Sequence, residues 1–170
     1  MKNEMKTVII PDGTRIISYR MVPKNVTECI ISAGVTEICD NAFFGCKALT
    51  SVTIPKGVTS IGRWAFFKCK ALTAVNIPEG VTSIGDCVFC DCRSIKSIVI
   101  PEGVTSISDS AFEGCTSLES ITIPESVTSI GNCAFYECVS LKFITIPECV
   151  TKIGADAFLG CTSLNWTTNF

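Results

Sequence analysis

Twelve cysteines and no histidine frame whatever chemistry this chain can perform. Without histidine the commonest general base and the commonest metal ligand are missing. Six thiols, Cys46, Cys69, Cys92, Cys115, Cys138 and Cys161, recur at a fixed interval of 23 residues. Stacked in register, neighbours would lie about 5 Å apart, which is within disulfide reach. Parallel side chains running into an apolar interior do not meet, and a free thiol there behaves as a small hydrophobe. The column is therefore expected to be reduced, buried and inert. Cys87, Cys90 and Cys92 read C-x-x-C-x-C, half of a zinc site. A tetrahedral site needs four ligands, usually two such pairs, and Cys92 already belongs to the column. Cys87 and Cys133 share a column but sit two coils apart, roughly 10 Å, too far to bond. Cys29, Cys39 and Cys149 are scattered. No metal, cofactor or catalytic residue is expected, since nothing pairs a nucleophile with a base or cradles a phosphate.

The remaining polar residues also fall in columns. Thr36, Thr59, Thr82, Thr105, Thr128 and Thr151 form one. Threonine suits strands and its hydroxyl bonds locally, so this array reads as outward structural surface. Glu79, Glu102, Glu125 and Glu148, headed by Lys56, form an acidic stripe of solvated turn charges with no calcium pattern. Arg63, Lys68, Lys70, Lys47 and Lys56 tint the early repeats basic, too sparsely for a nucleic-acid footprint, and a net charge of −2 gives polyanions no purchase.

These spacings require a scaffold that repeats every 23 residues. Isoleucines 38, 61, 84, 107, 130 and 153 share a column, as do phenylalanines 43, 66, 89, 112, 135 and 158. A fixed period of this length is the signature of stacked solenoid coils, none of which can bury its apolar side alone. In Leu49 to Pro55, Val52 and Ile54 alternate with Ser51 and Thr53, giving a half-buried strand that the proline ends. Val58 to Ile61 is a second short extended segment. Phe66, Cys69 and Leu72 then recur every three residues, predicting a short helical or 3₁₀ turn. The expected fold is an α/β solenoid: a right-handed superhelix of about six repeats, with one main parallel β-strand each and a sheet about 30 Å across.

The unit from Leu118 to Cys138, with I-P, V-T-x-I-G, A-F and C-x-x-L in register, resembles the BspA-type leucine-rich repeat. The resemblance spans roughly Ile30 to Asn169. It implies a curved solenoid, in some members adhesion to host matrix proteins, and no catalytic residues, so the chain is not expected to be an enzyme. It also implies a surface or secreted location, whereas the unpaired thiols point to a reducing, cytoplasmic one. No signal peptide is read in Met1 to Ile10, and no apolar run is long enough to span a membrane.

The ends depart from the pattern. Ser32 stands where proline is expected and Pro11 lies 21 residues earlier. Residues 1–29 are assigned to an N-terminal cap with a degenerate first coil, and residues 30–170 to the solenoid. Thr167 and Asn169 place polar groups at inward positions of the last coil, which leaves a strand edge for self-association through the C-terminal coil.

On the outward side of the main strands, Ser51, Ala74, Ser97, Ser120, Phe143 and Trp166 form one column, and Thr53, Asn76, Val99, Thr122, Thr145 and Thr168 the next. Phe143 and Trp166 are the large side chains among small polar ones, either interface anchors or a cover for the solenoid end. The binding residues expected are Phe143, Trp166, Val99, Asn76, Thr122 and Thr145. The expected function is a non-catalytic protein-binding or adhesion module; the alternative is a purely structural repeat segment with no ligand of its own.

Overall fold

The computed structural model describes residues 6–165. The chain winds as a parallel β-solenoid in which each coil supplies two short strands. The first strands are β1 (Thr7–Ile10), β3 (Glu28–Ile31), β5 (Ser51–Thr53), β7 (Ala74–Val75), β9 (Ser97–Val99), β11 (Ser120–Thr122) and β13 (Phe143–Thr145). The second strands are β2 (Ile16–Ile17), β4 (Glu37–Ile38), β6 (Ser60–Ile61), β8 (Ser83–Ile84), β10 (Ser106–Ile107), β12 (Ser129–Ile130) and β14 (Lys152–Ile153). Like residues pair: Val52 opposite Val75, Ile121 opposite Ile144, Ile38 opposite Ile61. The degenerate first coil joins the same ladders at its 21-residue offset, Thr7 opposite Glu28 and Ile16 opposite Glu37.

The apolar columns all turn inward. Val58, Phe66, Cys69 and Leu72 are wholly buried, and their counterparts through Leu141 follow suit. The core phenylalanines form one ladder from Phe43 to Phe158, with ring centroids 4.8–5.7 Å apart and planes tilted by 5–14°. Edge-to-face contact is excluded because each ring's axial spacing is set by the backbone ladders.

The short helix or 3₁₀ turn expected after the second strand does not form; among the described residues no helix occurs. Its N–H groups are divided between two tasks. Trp64, Phe66 and Lys68 donate forward, to Asp86, Val88 and Cys90 of the next coil, each at 2.9 Å. Ala65, Phe67 and Cys69 donate back within the coil, to Gly62, Trp64 and Phe66 at 3.0–3.3 Å. A helix needs every N–H for its own axis. Trp64 and Lys68 also adopt left-handed φ of 53° and 58°, as do Asn41, Cys87, Ser110, Cys133 and Asp156 in Trp64's column. The three-residue spacing holds regardless, because consecutive i−3 turns return the same side inward. The coil thus has a third, hydrogen-bonded side, hereafter the turn face.

The main sheet is also not continuous. The first strands form one sheet from β1 to β7 and another from β9 to β13; the second strands divide at the same junction, between β8 and β10. One column changes at this junction, although Cys39, also not a glycine, keeps its N–H bond to Ile17 at 2.9 Å in that column. Gly62, Gly85, Gly131 and Gly154 press so close to the coil before that a Cβ on any of them would lie 2.4–2.6 Å from a backbone nitrogen. Their N–H groups reach the preceding isoleucine carbonyl at 2.7–2.8 Å. Ser108 occupies this column in the fifth coil. Its Oγ donates to the Ile84 carbonyl at 2.6 Å, where a neighbouring coil would use its N–H. Thr82 and Thr128 donate to Thr59 and Thr105, and Thr73 and Glu119 to Thr50 and Lys96, yet Thr105 and Lys96 have no such bond to Thr82 and Thr73. The Phe89–Phe112 spacing, 5.7 Å, is the widest in the ring ladder. The backbone bonds that remain across this junction lie on the turn face, through Cys87, Phe89 and Asp91 at 2.8–2.9 Å. Ser108→Gly should close both strand faces and raise stability by about 1–2 kcal/mol, two or three recovered hydrogen bonds less the entropy of the added glycine. Slower amide exchange at Lys96, Thr105 and residue 108 would register the closure; unchanged exchange would assign the opening another cause.

Candidate functional site

The thiol column is part of the core, as expected, but it is not chemically idle within it. Cys69, Cys92, Cys115, Cys138 and Cys161 direct their S–H at the carbonyls of Phe43, Phe66, Phe89, Phe112 and Phe135, with S···O of 3.0–3.2 Å. Each thiol thus ties its coil to the one before, which explains why a small hydrophobe with a donor recurs where alanine would also fit. Burial pushes the ionisation of Cys29 to about 11 and of Cys46 to about 12, and raises Cys92 and Cys115 far above the ordinary thiol range. All twelve cysteines are free. A thiol reagent at neutral pH should leave Cys92, Cys115 and Cys138 unmodified until the protein unfolds, because neither access nor thiolate is present. Because the folded values are raised, the protonated form is favoured on folding. Stability should therefore be full below the unfolded thiol's value of about 8.5 and decline as pH rises toward 11–12. Labelling of the column in the folded state at pH 7 would contradict this.

The half-zinc motif does not converge. Cys90 and Cys92 are buried, Cys87 is half-buried in the left-handed column, and no metal-holding cluster of His, Cys, Asp or Glu occurs among the described residues. Cys149, read as scattered, directs its thiol at the Glu125 carbonyl at 2.7 Å. The threonine column is exposed, and Thr36, Thr59, Thr128 and Thr151 donate their hydroxyls to the preceding coil's carbonyls at 3.3–3.4 Å. Those hydroxyls bond locally. A related ladder escaped the sequence reading: Asp40, Asp109 and Asn132 accept the amides of Arg63, Asn132 and Ala155 through side-chain oxygens at 2.7–2.9 Å. A column of Asp and Asn directly after the glycine column was the available signal.

The outward face of the first strands is where the expected binding residues lie. Phe143 is 61% exposed and Val99 59% exposed. Asn76, Thr122 and Thr145 are exposed in the same two columns, and Phe143 pairs in register with Ser120, Thr145 with Thr122. Ile9 and Ile30 extend the Val99 column as two further exposed apolar side chains. Trp166 lies outside the described residues, as do Thr167, Thr168 and Asn169, so the pairing of Trp166 with Phe143 and the polar close of the last coil have no structural description. In the last described coil the inward columns loosen: Ile153 is 45% exposed where Ile130 is 2% exposed. A groove of about 710 Å³ runs along β10, β12 and β14, floored by Ile107 and Ile130 and edged by Asp86, Asp109, Ser106 and Lys152. Shallow and hydroxyl-lined, it carries no convergent catalytic set.

Comparison with known proteins agrees with this architecture. The model of the BspA type leucine-rich repeat region matches residues 14–132 and 82–168, in six copies. A leucine-rich repeat protein of T. pallidum shares 28% identity at a TM-score of 0.89, over 95% of this chain and 78% of that one. A leucine-rich cell surface protein of Faecalibacterium prausnitzii A2-165 shares 36% identity at a TM-score of 0.82, over 94% of this chain and 46% of that one. A leucine-rich repeat protein of Eubacterium ventriosum ATCC 27560 shares 29% at 0.67, over 91% and 48%. The chain therefore spans about half the length of the latter two. No curated protein matches. With the repeat register, the inward columns and the family model in agreement over nearly the whole length, the chain belongs to the BspA type leucine-rich repeat family.

Proposed function

We propose that the chain is a non-catalytic protein-binding module that engages its partner through the outward face of the first strands. The observation that carries this reading is the exposure of Phe143 and Val99 on a face that, from Ser51 to Thr145, is otherwise made of Ser, Thr, Ala and Asn. Isolated large apolar groups among small polar ones concentrate binding energy, while the small residues let a partner approach closely. The extended surface of a repeat stack suits a macromolecule better than a small molecule. Location at a cell surface, and adhesion as the use of that location, follow from similarity to the F. prausnitzii cell surface protein. Residues 1–29 serve as the cap that closes the first core layer, leaving residues 30–170 as the binding stack.

The test is a quantitative pull-down with the intact chain and with Phe143→Ala, followed by affinity measurement on the proteins recovered. Losing one anchor of this size should weaken binding about tenfold or more, the equivalent of at least ~1.4 kcal/mol. Equal recovery by Phe143→Ala and by Val99→Ser would reject the sheet face as the binding surface and favour a purely structural segment.

A further inference from the structure

The turn face is electrically divided along the solenoid axis in a way the main sheet is not. Its first three coils, residues 18–24, 39–48 and 62–71, carry Arg20, Lys24, Lys47, Arg63, Lys68 and Lys70 against Asp40, a net of +5. Its last three, residues 108–117, 131–140 and 154–163, carry Asp109, Glu113, Glu137 and Asp156 with no cation, a net of −4. Between them, residues 85–94 carry Asp86, Asp91 and Arg93, where Arg93 is held by Asp91 at 2.9 Å.

We propose that this face joins two copies of the chain, antiparallel, about a two-fold axis through the coil at residues 85–94. That axis sets the first coil against the seventh, the second against the sixth and the third against the fifth. Each such pairing sets a cation against an anion: Arg20 and Lys24 with Asp156, Lys47 with Glu137, Lys68 and Lys70 with Glu113; Asp40 is the one like charge brought to the Glu137 coil. A two-fold interface must be self-complementary, and this division of one face into a basic and an acidic half meets the requirement, with coil spacings of 4.8–5.7 Å alike in both halves. Apolar area is available on both sides. Tyr19, Met21 and Trp64 are exposed in the basic half, and Val139 and Leu159, the latter 56% exposed, in the acidic half. The cations of the basic half already lie against rings, Arg63 over Trp64 at 5.1 Å and Lys68 over Phe67 at 4.7 Å, so their approach is partly ordered in advance. Much of the attraction is between exposed charges, so the association is salt-sensitive.

Light-scattering mass of the full chain tests this. At low ionic strength and high concentration the mass should be twice 18.2 kDa, and it should fall toward 18.2 kDa as salt reaches ~0.5 M, where the Debye length is only a few ångströms. The double variant Lys47→Glu with Lys68→Glu and the double variant Glu113→Lys with Glu137→Lys should each be monomeric alone. Mixed in equal amounts they should restore the dimer, since each reversed half then meets its complement. All four sites lie on the surface side of the coil, and circular dichroism of each variant against wild type verifies the fold. A wild-type monomer under these conditions overturns the proposal. So does a dimer indifferent to salt and to both reversals, which would point to the terminal strand edges, and so does a mixture that stays monomeric.

Discussion

Phe66→Ala should cost about 3–5 kcal/mol of unfolding free energy, the range for truncating a fully enclosed aromatic. Phe66 is completely buried and stacks on two rings, Phe43 at 4.8 Å and Phe89 at 5.3 Å. Removing it therefore takes away its own transfer energy, the one stacking contact of Phe43 and one of the two of Phe89, worth about 0.5–1.5 kcal/mol per pair. Relaxation cannot refill the gap, because the neighbours are fixed by their own turns: Phe43 N–H to the Ala65 carbonyl at 2.7 Å, Phe66 N–H to Val88 at 2.9 Å. Phe67→Ala is the control. That ring is half-buried and stacks on Phe44 alone, at 5.0 Å, so about 1 kcal/mol is expected. For a chain of this size the core variant should melt roughly 6–20 °C lower. A loss under 1 kcal/mol for Phe66→Ala would mean that the ring ladder is not what holds successive coils together.

Gly131→Ala should be nearly as damaging, for a reason unrelated to hydrophobicity. The added methyl would sit 2.5 Å from Asp109 Oδ1, 2.6 Å from its backbone nitrogen and 2.7 Å from the Ser108 carbonyl carbon. Two of these obstacles are main chain, so the coil has to lift. Lifting stretches the Gly131 N–H bond to Ile107 at 2.8 Å and the Asn132 N–H bond to the Asp109 carboxylate at 2.7 Å. Overpacking of this kind costs about 1–3 kcal/mol and each weakened bond about 1, offset by about 0.4–1 from the stiffer unfolded chain. The expected net loss is about 2–4 kcal/mol, measurable by denaturant unfolding. Gly34→Ala gives the comparison: its Cβ would meet nothing closer than 3.5 Å, so little change is expected. If the two variants lose equal stability, coil contact at the glycine column is not the controlling term.

How far the sequence carried can be judged from such columns. Val58, Ile61, Phe66, Cys69 and Leu72 were readable as core because inward residues recur at two or three positions, and the 23-residue register then fixes which coil each one meets. The α/β reading failed because a period of three is shared by a 3₁₀ helix and by successive i−3 turns. What separates them is where alternate N–H groups of Trp64, Phe66 and Lys68 go, and that is a property of the next coil. The thiol donors escaped notice for a similar reason, since the Phe43 carbonyl that receives Cys69 lies 26 residues away. Ser108 was visible as an exception among Gly62, Gly85, Gly131 and Gly154, but only the 2.4–2.6 Å clearances show how little room those glycine positions leave for a side chain. On the outward face, register alone placed Phe143, Val99, Asn76, Thr122 and Thr145 in solvent, whereas a partner leaves no mark on either register or spacing.

The break in the ladders beside Ser108 has one more consequence, for how disturbance travels. In a linear stack each layer is held by its two neighbours, so melting that starts at one end advances layer by layer until it reaches a weakly coupled pair. Here the couplings are unequal: among the described residues both strand ladders break at one joint, between β7 and β9 and between β8 and β10, while the turn face holds across it. Damage that begins in the terminal layers would tend to stop at that joint, leaving the opposite half intact to act as the template on which the lost layers rewind.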